Sequence, residues 1–390
     1  MGLTADQSRA KEKIEDFLQS GRQIFQLHGV AGSGKSTVLS QALGGRENIH
    51  FVAPTGKAAH VLRKKGIQQA KTLHSLIYKP VEVPLLDKNG KPRVNSETGE
   101  VLTRVAFSPR ENKELLQGGG VVVVDEASMV SGQMAEHLLN YPVKVIAVGD
   151  PFQLPPIMSE GNRSLLDTGT PDVMLEEVHR SALESPVTAL SRYVRNNGHL
   201  PHGEFSKNGS RILNSLRSYG GPVDVDRVQV IVGMNRTRHE INERVRRSRG
   251  IDPASLPTKG ERVICRVNNS EYGVFNGMQL WVKDVHLMGV EGARLMEMES
   301  EEGEAIVAPV WLHGFFRNTD SKLNEMPMSQ RKENLIVNFA YAITAHSSQG
   351  SEWDDVLVVD ESKAFRGNAA KWLYTAVSRA SERITVVKRL

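Results

Sequence analysis

The sequence predicts an α/β protein built from two parallel-sheet cores, each interrupted by a small β-rich insertion. Short apolar strands alternate with helical segments in both halves of the chain, which is the pattern of strands buried on both faces of a sheet. A glycine-rich turn joins one such strand to a helix, and two intervening stretches alternate like strands between turn residues. The length of 390 residues agrees with two or three domains of roughly 100–200 residues each.

The first core is predicted over residues 1–77 and 119–170. Helical periodicity over residues 6–18 precedes an apolar strand at 24–28, which leads into the glycine-rich turn. Buried strands that alternate with helices predict a parallel sheet with both faces covered. The remaining segments of this core, in chain order, are a helix from Lys35, a strand at 49–53, a helix at 56–65, and strands at 121–124 and 143–148.

Residues 78–118 are predicted to form a β-hairpin that projects from the first core. The stretch contains an Asn89-Gly90 pair and a Thr98-Gly99 pair between alternating segments. Pairs of this type favour the tight turns that join antiparallel strands. The stretch therefore differs in character from the parallel sheet around it.

The second core is predicted over residues 171–255 and 335–390, with an insertion over 256–334. The same alternation of strands and helices predicts a second parallel sheet. Short β-rich runs divided by glycines predict a small all-β module in the insertion. The core segments are strands at 228–232, 336–338, 356–359 and 384–387 with helices at 236–247 and 371–379, and the β-rich runs are 262–267, 278–285 and 305–311.

The composition is that of a folded globular chain, and it excludes several kinds of site. Hydrophobic residues make up 39% of the chain and charged residues 24%. Cys265 is the only cysteine, so neither an internal disulfide nor a multi-thiolate metal site can form, as expected in a reducing compartment. The first residues lack an apolar signal core, and no apolar stretch approaches the about 20 residues of a membrane span. We therefore expect a cytoplasmic protein without a membrane partner.

The charge distribution bears on a nucleic-acid partner. The formal net charge of +4 is by itself weak support for such a partner. Residues 236–249, however, hold six arginines and two glutamates, in and just after the helix predicted at 236–247. This helix either lies near a nucleic-acid backbone or is a solvated basic face.

A phosphate-binding loop is predicted at residues 29–36. Their sequence, GVAGSGKS, matches G-x-x-x-x-G-K-S between a strand and a helix. The glycines let backbone N–H groups turn toward phosphate oxygens, and the helix N-terminus adds partial positive charge. Lys35 is expected to reach the β- and γ-phosphates of ATP, and Ser36 to ligate Mg²⁺. The candidate nucleotide-binding residues here are Gly29, Gly32, Ser33, Gly34, Lys35, Ser36 and Thr37.

A second part of the nucleotide site is predicted where four valines at 121–124 lead to two carboxylates. A buried strand that ends in Asp125 and Glu126 has the pattern of a Walker B element. Asp125 would join the magnesium shell, and Glu126 would activate the attacking water. Together with the phosphate loop, these residues predict a site that hydrolyses a magnesium–nucleotide complex.

Four longer strings carry a family resemblance. They are GDPFQLPP at 149–156, VHRS at 178–181, YAITAHSSQGSEW at 341–353 and YTAVSRA at 374–380. In content and order they resemble motifs III, IV, V and VI of superfamily 1B DNA helicases of the RecD-like and Dda-like type. The resemblance implies two RecA-like motor cores, a strand-separating hairpin in the first and an SH3-like all-β insertion in the second.

The resemblance also implies roles around the nucleotide. Gln7 would read the adenine edge, and Gln153 would sense the γ-phosphate. Arg180 and Arg379 would come from the second core and neutralise charge on the transferring phosphoryl group. The further residues that it places at the nucleotide are Gly350 and Glu352.

Contacts to single-stranded DNA follow from the same resemblance. PTGKAA at 54–59 is similar to motif Ia and TLHS at 72–75 to motif Ib, both of which bind backbone phosphates. Phe107 or Tyr78 on the hairpin would stack on a base at the junction, although a plain surface hairpin remains an alternative. The implied nucleic-acid residues are Pro54, Thr55, Gly56, Lys57, Thr72, His74, Phe107, Asn235, Arg238, Thr344 and His346.

The function that these features predict is an ATP-dependent DNA helicase. It would use ATP and Mg²⁺, act as a monomer on single-stranded DNA and at junctions with duplex, and work with a single-strand-binding or replication protein. The resemblance implies 5′→3′ movement. Two alternatives remain at this point: an ATP-switched protein that binds or loads nucleic acid without moving along it, and an RNA helicase of the same superfamily.

Overall fold

The fold is taken from a computed structural model. It describes residues 3–388 except 31, 45, 85, 87–88, 95–98, 100, 102, 112–119, 157–163, 168–169, 177–184, 203–204, 208, 221, 287–291, 316–322, 324–325 and 327. The packing of the Cα atoms divides the chain into two compact units. Unit 1 contains Met1–Leu76, Glu111–Ile241 and Ala342–Leu390, and unit 2 contains Ile77–Arg110 and Asn242–Tyr341.

The described α-helices fall mostly in unit 1. Short 3-10 helices accompany them at Ala127–Met129, Leu165–Asp167, Leu216–Tyr219, Leu312–Phe315 and Ser362–Asn368. The α-helices are α1 (Ala5–Gln19), α2 (Lys35–Leu43), α3 (Gly56–Lys64), α4 (Leu73–Ile77), α5 (Gly132–Leu139), α6 (Pro186–Asn197), α7 (Asn235–Ser248), α8 (Met328–Glu333) and α9 (Ala369–Val377).

The described strands form four sheets. In chain order they are β1 (Ile24–Gly29), β2 (Ile49–Ala53), β3 (Lys71–Thr72), β4 (Tyr78–Pro84), β5 (Thr103–Pro109), β6 (Val121–Val124), β7 (Lys144–Gly149), β8 (Val173–Leu175), β9 (Phe205–Lys207), β10 (Ser210–Leu213), β11 (Val228–Val232), β12 (Arg262–Cys265), β13 (Gln279–Val285), β14 (Ala293–Ser300), β15 (Ala305–Trp311), β16 (Val337–Phe339), β17 (Ala342–Thr344), β18 (Trp353–Val359) and β19 (Ala380–Val387).

The first sheet has the strand order β3-β2-β6-β7-β1-β8, and every pair in it is parallel. Its central strands read as apolar runs because helices cover both faces of a parallel sheet. Phe25 and Leu27 of β1 and Ile146 of β7 are buried in one cluster with Ile14 and Phe17 of α1. This core holds β1, β6 and β7 in fixed register.

The second sheet has the order β17-β11-β18-β19-β10-β9 and is parallel except for its edge strand β9. Its core includes Trp372 of α9, Val187 and Val194 of α6 and Ile231 of β11, all fully or nearly fully buried. Both parallel sheets lie in unit 1. The prediction of two parallel-sheet cores is confirmed.

Unit 2 contains two antiparallel sheets and a few short helical segments. Five strands pair in the order β15-β14-β13-β12-β16, and a bridge from Val310 to Leu335 closes β15 back toward β16. The hairpin pairs β4 with β5 in continuous register from Tyr78↔Pro109 to Pro84↔Thr103. Both insertions therefore have the β structure that their turn residues predicted. The boundaries of the four predicted segments stay a prediction.

Several element ends differ from the predicted ones by a few residues. The helix predicted at 371–379 is α9, which ends at Val377, so Arg379 lies in the turn before β19. The strand predicted at 384–387 begins earlier, at Ala380, because it pairs with the start of β18 at Trp353. Pairing partners distant in sequence decide where a strand begins, and local periodicity does not contain them.

A buried ion pair holds together part of unit 2. Arg246 of α7 donates to both carboxylate oxygens of Glu261, at 2.9 and 3.0 Å, and both side chains are almost fully buried. The Arg246 guanidinium also lies over the Phe339 ring, with 4.3 Å to the centroid. Glu261 accepts further hydrogen bonds from the Thr258 N–H and the Tyr341 hydroxyl. Each charge is thus fully compensated in its buried position.

Replacing Glu261 by alanine is expected to destabilise the protein by about 3–5 kcal/mol, because it leaves the Arg246 charge buried without its partner. Urea unfolding followed by circular dichroism measures the change. Glu299→Ala is the matched control: Glu299 pairs with Lys283 at 2.9 Å on the surface of the same unit, and such pairs contribute at most about 1 kcal/mol. Equal losses in the two variants would contradict the expectation.

Candidate nucleotide and nucleic-acid sites

The candidate nucleotide site lies at the carboxyl ends of three neighbouring strands of the first sheet. Because β6, β7 and β1 are adjacent and parallel, their ends meet at one edge. Gly29 ends β1, Asp125 and Glu126 follow β6, and Asp150 follows β7. Crevices at the carboxyl ends of parallel strands are the usual ligand sites of such sheets. The fold therefore brings the predicted phosphate loop and the predicted carboxylates to the same edge.

The phosphate loop has the backbone that its glycines predict. Gly34 caps α2 in the left-handed conformation, with φ +82°, and Lys35 is the first residue of the helix. The Lys35 Nζ donates to the carbonyls of Gly29 and Val30 at 2.8 and 3.0 Å. A Cβ on Gly29 would lie 2.6 Å from the Ser33 Oγ, so only glycine fits this turn. Ala31 lies outside the described residues.

The loop has the features that a phosphate ligand needs. Among the residues that the structure describes, the Ser33 Oγ is buried without a hydrogen-bond partner. Ser36 and Thr37 are exposed in the first turn of α2, where hydroxyls and backbone N–H groups face a helix N-terminus. Gly32 is also exposed, with φ +75°. A phosphate group with an associated Mg²⁺ fits this cradle.

Gln7 connects α1 to the phosphate loop. Its N–H donates to the Thr4 Oγ1 at 3.3 Å, and the Thr4 N–H donates to its Oε1 at 3.1 Å, which makes a capping box. The Gln7 Nε2 donates to the Ser33 carbonyl at 3.2 Å. A Cβ on Gly34 would clash with this Nε2. The carboxamide is therefore buried against the loop and bonded at both ends by protein groups.

The two carboxylates after β6 differ in environment. The Glu126 N–H donates to the Asp125 Oδ1 at 3.0 Å, and Glu126 adopts a left-handed backbone with φ +51° and ψ +39°. For a residue with a side chain this conformation is uncommon, and such strain is concentrated at functional sites. Burial and the charge of Asp125 raise the pKa of Glu126, and the nearby Arg379 and Lys35 act in the opposite direction.

Arg379 reaches this site from the second sheet. Its guanidinium is buried and donates to the Thr375 carbonyl at 3.1 Å, the Ser351 carbonyl at 3.2 Å and the Ser378 Oγ at 3.0 Å. These bonds fix its orientation before any ligand binds. Arg180, the other arginine predicted here, lies outside the described residues.

The remaining predicted nucleotide residues occupy different positions. Gln153 is buried, and within the described ranges its Oε1 has no hydrogen-bond partner. Gly350 has φ +73°, and a Cβ there would lie 3.5 Å from Ala58 at the start of α3. Glu352 is exposed. Gln153 thus has an open acceptor, whereas Gly350 lies against the first core.

The predicted DNA residues of the first core cluster around α3 and α4. The Thr55 Oγ1 accepts from the Ala58 N–H and caps α3. Pro54 precedes this cap, and Gly56, the first residue of the helix, is buried. The Lys57 Nζ lies over the ring of Trp353, with 5.5 Å to the centroid.

Thr72 and His74 occupy the start of α4. The Thr72 Oγ1 accepts from the Ser75 N–H at 3.2 Å. Burial lowers the pKa of His74. A neutral imidazole at this position can still hydrogen-bond to a phosphate, but it brings no charge.

The predicted DNA residues of the second core differ in exposure. The Thr344 Oγ1 lies 3.0 Å from the Ser347 Oγ, and burial lowers the pKa of His346, whose ring packs against Phe365. Asn235 is exposed at the first position of α7. Arg238 is buried, with its Nη2 3.1 Å from the His239 Nε2. Its assignment as a surface phosphate contact stays a prediction.

Phe107 lies on the outer face of the hairpin. It is 52% exposed and stands opposite Pro80 in the β4–β5 register. Gly90 and Gly99 have positive φ values, and bridges Leu86↔Pro92 and Val94↔Val101 flank these two turns. The turn predicted at Asn89-Gly90 is therefore present, whereas Thr98 of the other predicted turn lies outside the described residues. The hairpin presents apolar side chains to solvent.

Family models match both halves of the chain. The AAA domain model matches residues 2–212, more than half of the 390 residues, and the UvrD-like helicase C-terminal domain model matches residues 339–387. The ATP-dependent RecD2 DNA helicase of Deinococcus radiodurans is 25% identical over 98% of this chain. The chain belongs to the superfamily 1B helicases.

Two of the curated relatives are longer than this chain. The alignment with RecD2 covers 48% of that protein. The uncharacterized protein R530 of Acanthamoeba polyphaga mimivirus is 33% identical over 50% of this chain and 42% of its own length. The chain thus spans less than half the length of these two proteins.

Solved structures confirm the predicted fold of two RecA-like cores with two insertions. The crystal structure of Bacteroides Pif1 bound to ssDNA matches with a TM-score of 0.57 over 99% of this superfamily 1B helicase and 92% of the Pif1 chain. The sequence identity in that match is 20%.

Within the described part of the chain, no helix is long and apolar enough to cross a membrane.

Two residues of the superfamily 1B helicase contribute to the site without having been predicted there. Asp150 is 1% exposed and close enough to Glu126 to raise the pKa of that carboxyl group. Tyr374 donates its hydroxyl to the Asp150 Oδ2 at 2.6 Å. Both residues occur within the helicase strings, so the sequence contained them, but no local pattern shows that they meet.

Proposed function

We propose that the protein is an ATP-dependent DNA helicase that moves on single-stranded DNA and separates duplex by ATP hydrolysis. One observation carries the proposal: burial raises the pKa of Glu126, and Arg379 from the second core and Lys35 from the phosphate loop both lie near enough to that carboxylate to oppose the rise. A site completed by residues of two cores can change with the state of the nucleotide. The names of RecD2, an ATP-dependent DNA helicase, and of the Pif1 structure bound to ssDNA support the same function.

The proposed hydrolysis follows from the charges at the sheet edge. Ser36 and Asp125 would hold Mg²⁺, which supplies charge neutralisation at the phosphate oxygens. Glu126 accepts the proton of the attacking water, and Lys35 and Arg379 stabilise the charge that develops on the transferring phosphoryl group. Gln153, whose buried Oε1 lacks a hydrogen-bond partner among the described residues, would sense the γ-phosphate. Gln7 would meet the adenine while bonded to the loop through Ser33.

As the pH is lowered, hydrolysis is expected to be lost at a higher pH than it would be with a glutamate of ordinary pKa. A general base must be ionised, and burial together with Asp125 raises the pKa of Glu126 above its usual 4.5. The rate should be full above the raised pKa and fall as pH decreases through it. The pH dependence of kcat/KM, which reports pKa values of the free enzyme, is measured from about pH 5 to about pH 9. Glu126→Gln should lose this activity, and the same acid limb in its residual rate would contradict the role of Glu126.

The proposed DNA track runs along both cores of unit 1. Phosphate contacts that ignore base identity suit a motor, because it must bind every sequence it passes. The hairpin would meet the junction, with Phe107 as the stacking side chain. The proposed contacts are Pro54, Thr55, Gly56, Lys57, Thr72, His74, Asn235, Arg238, Thr344 and His346.

Strand displacement from partial duplexes tests the function. One substrate carries only a 5′ single-stranded tail and the other only a 3′ tail, each incubated with ATP and Mg²⁺. We expect displacement from the 5′-tailed substrate alone, and its loss in the Glu126→Gln variant. ATP hydrolysis stimulated by DNA without displacement would favour a switched binding protein, and stronger stimulation by RNA would favour an RNA helicase. Omitting Mg²⁺ should abolish hydrolysis.

A further inference from the structure

Residues 149–154 belong to the first core by sequence but pack into the second. The segment follows β7, and its Leu154 is buried in the cluster that contains Val187 of α6 and Trp372 of α9. Phe152 packs on the same cluster, edge-on to the Tyr374 ring with 6.2 Å between centroids. The end of the central strand of one sheet is therefore held by the hydrophobic core of the other.

Hydrogen bonds strengthen this attachment. The Tyr374 hydroxyl donates to the Asp150 Oδ2 at 2.6 Å, and the Leu154 N–H donates to the Thr375 Oγ1 at 2.9 Å. The Gln349 Nε2 donates to the Leu154 carbonyl at 3.0 Å. All these groups are buried. Because a buried donor or acceptor without a hydrogen bond is energetically costly, these bonds hold the segment to α9 and to the loop before β18.

The same bonds continue to the nucleotide site. Thr375 accepts the Leu154 N–H with its hydroxyl and the Arg379 Nε with its carbonyl, at 2.9 and 3.1 Å. Burial raises the pKa of the Asp150 carboxyl group, and the Tyr374 hydrogen bond and the nearby charges of Lys35 and Arg379 act in the opposite direction. Gln153 lies between the two anchored residues Asp150 and Leu154. One contiguous chain of contacts thus joins the segment, α9 and Arg379.

We propose that Tyr374 and Thr375 are positioning residues that fix Gln153 and Asp150 relative to Arg379, so that hydrolysis in the first core is coupled to the position of the second. The inference rests on the proposed function. Both residues lie on α9, and in this role neither of them touches the nucleotide. The Tyr374 hydroxyl and the Thr375 hydroxyl keep the two halves of the site aligned. Alignment errors of about 1 Å can lower a rate by about 100-fold.

Removing one hydroxyl at a time tests the proposal. Tyr374→Phe and Thr375→Val keep the shape of each side chain and delete its bond to the segment. We expect each variant to lower the DNA-stimulated kcat for ATP by roughly tenfold or more, since a hydrogen bond to a charged or buried group is removed. We expect the KM for ATP to stay within about twofold, because the phosphate loop is untouched. The base pairs separated per ATP hydrolysed should fall as well.

Matched variants separate positioning from simple damage to the fold. Tyr193→Phe removes a hydroxyl from α6 and should behave as wild type, since the Tyr193 ring packs against His199 with 5.9 Å between centroids. Thr375→Ser keeps the acceptor for the Leu154 N–H and should restore most of the kcat that Thr375→Val loses. Thermal unfolding of each variant is measured alongside the kinetics.

Three results would overturn the inference: wild-type kcat and coupling in Tyr374→Phe, equal losses in Thr375→Ser and Thr375→Val, or a rise in KM that matches the fall in kcat. The proposed function is judged on the wild-type protein alone, by strand displacement. A wild type that hydrolyses ATP without separating strands would contradict the helicase function, while the kcat comparison among variants would still decide the positioning roles.

Discussion

Lys35→Ala is expected to abolish ATP hydrolysis, with a fall of at least about 10³-fold in kcat/KM. The Lys35 Nζ now donates to the carbonyls of Gly29 and Val30 inside the loop, where it is poised to exchange those partners for phosphate oxygens. Alanine removes the only positive side chain of the phosphate loop and leaves Glu126 without one of its two nearby cations. DNA-stimulated phosphate release and binding of a fluorescent ATP analogue measure the effect.

Lys11→Ala is the control for this variant. Lys11 forms a surface pair with Glu15 at 2.8 Å on α1, a contact worth about 0.3–0.5 kcal/mol, so activity should be unchanged. Binding of single-stranded DNA should persist in Lys35→Ala, which shows that the protein is folded. Near-normal hydrolysis in Lys35→Ala would remove the basis for assigning residues 29–36 as the phosphate loop.

Arg379→Ala is expected to keep nucleotide binding but lose hydrolysis by about 10³-fold or more, in the range known for arginines that complete a phosphoryl-transfer site. The guanidinium is fixed by Thr375, Ser351 and Ser378, so its charge is pre-organised for the transition state. An interaction made mainly in the transition state lowers kcat and kcat/KM together and leaves ATP affinity unchanged. Single-turnover hydrolysis with a parallel binding titration separates the two.

Arg383→Ala provides the comparison for Arg379. Arg383 lies four residues further on, half-exposed, and pairs with Asp355 at 3.1 Å on the surface. Its loss should leave the rate within about twofold, as for other exposed pairs. Arg379→Lys keeps the charge but not the fork of donors, and it should recover only part of the rate. Equal losses of ATP affinity and rate in Arg379→Ala would argue against a transition-state role.

Much of the fold was predictable because its signals are local. A few neighbouring residues are enough to predict the apolar strands β6 and β7 and the glycine-rich turn before α2. The alternation of apolar strands and helices predicted two parallel-sheet cores, the helicase strings implied that these are RecA-like, and the match to Bacteroides Pif1 confirms the fold. The candidate site was predictable to the same extent: the phosphate loop, Asp125 and Glu126 all lie at the ends of predicted strands.

Other features depended on contacts between distant parts of the chain. Arg238 lies in a basic run that the sequence places at a surface, yet it is buried, because the helical face it occupies packs inward. The hairpin interrupts the first core in sequence, but packing groups it with the all-β insertion in unit 2. Neither outcome is contained in composition or in periodicity, since both are decided by which surfaces meet.

The sequence by itself determined the two cores and the phosphate loop, because strand periodicity and glycine spacing are properties of neighbouring residues. It also determined the membership in a helicase superfamily, because each helicase string is a run of neighbouring residues. Only the tertiary structure decided how the cores share a site. The bond from Tyr374 to Asp150 joins residues 224 positions apart, and that from Thr375 to Leu154 joins residues 221 apart. Such pairs depend on where two separate sheets place their residues in space, so no local pattern encodes them.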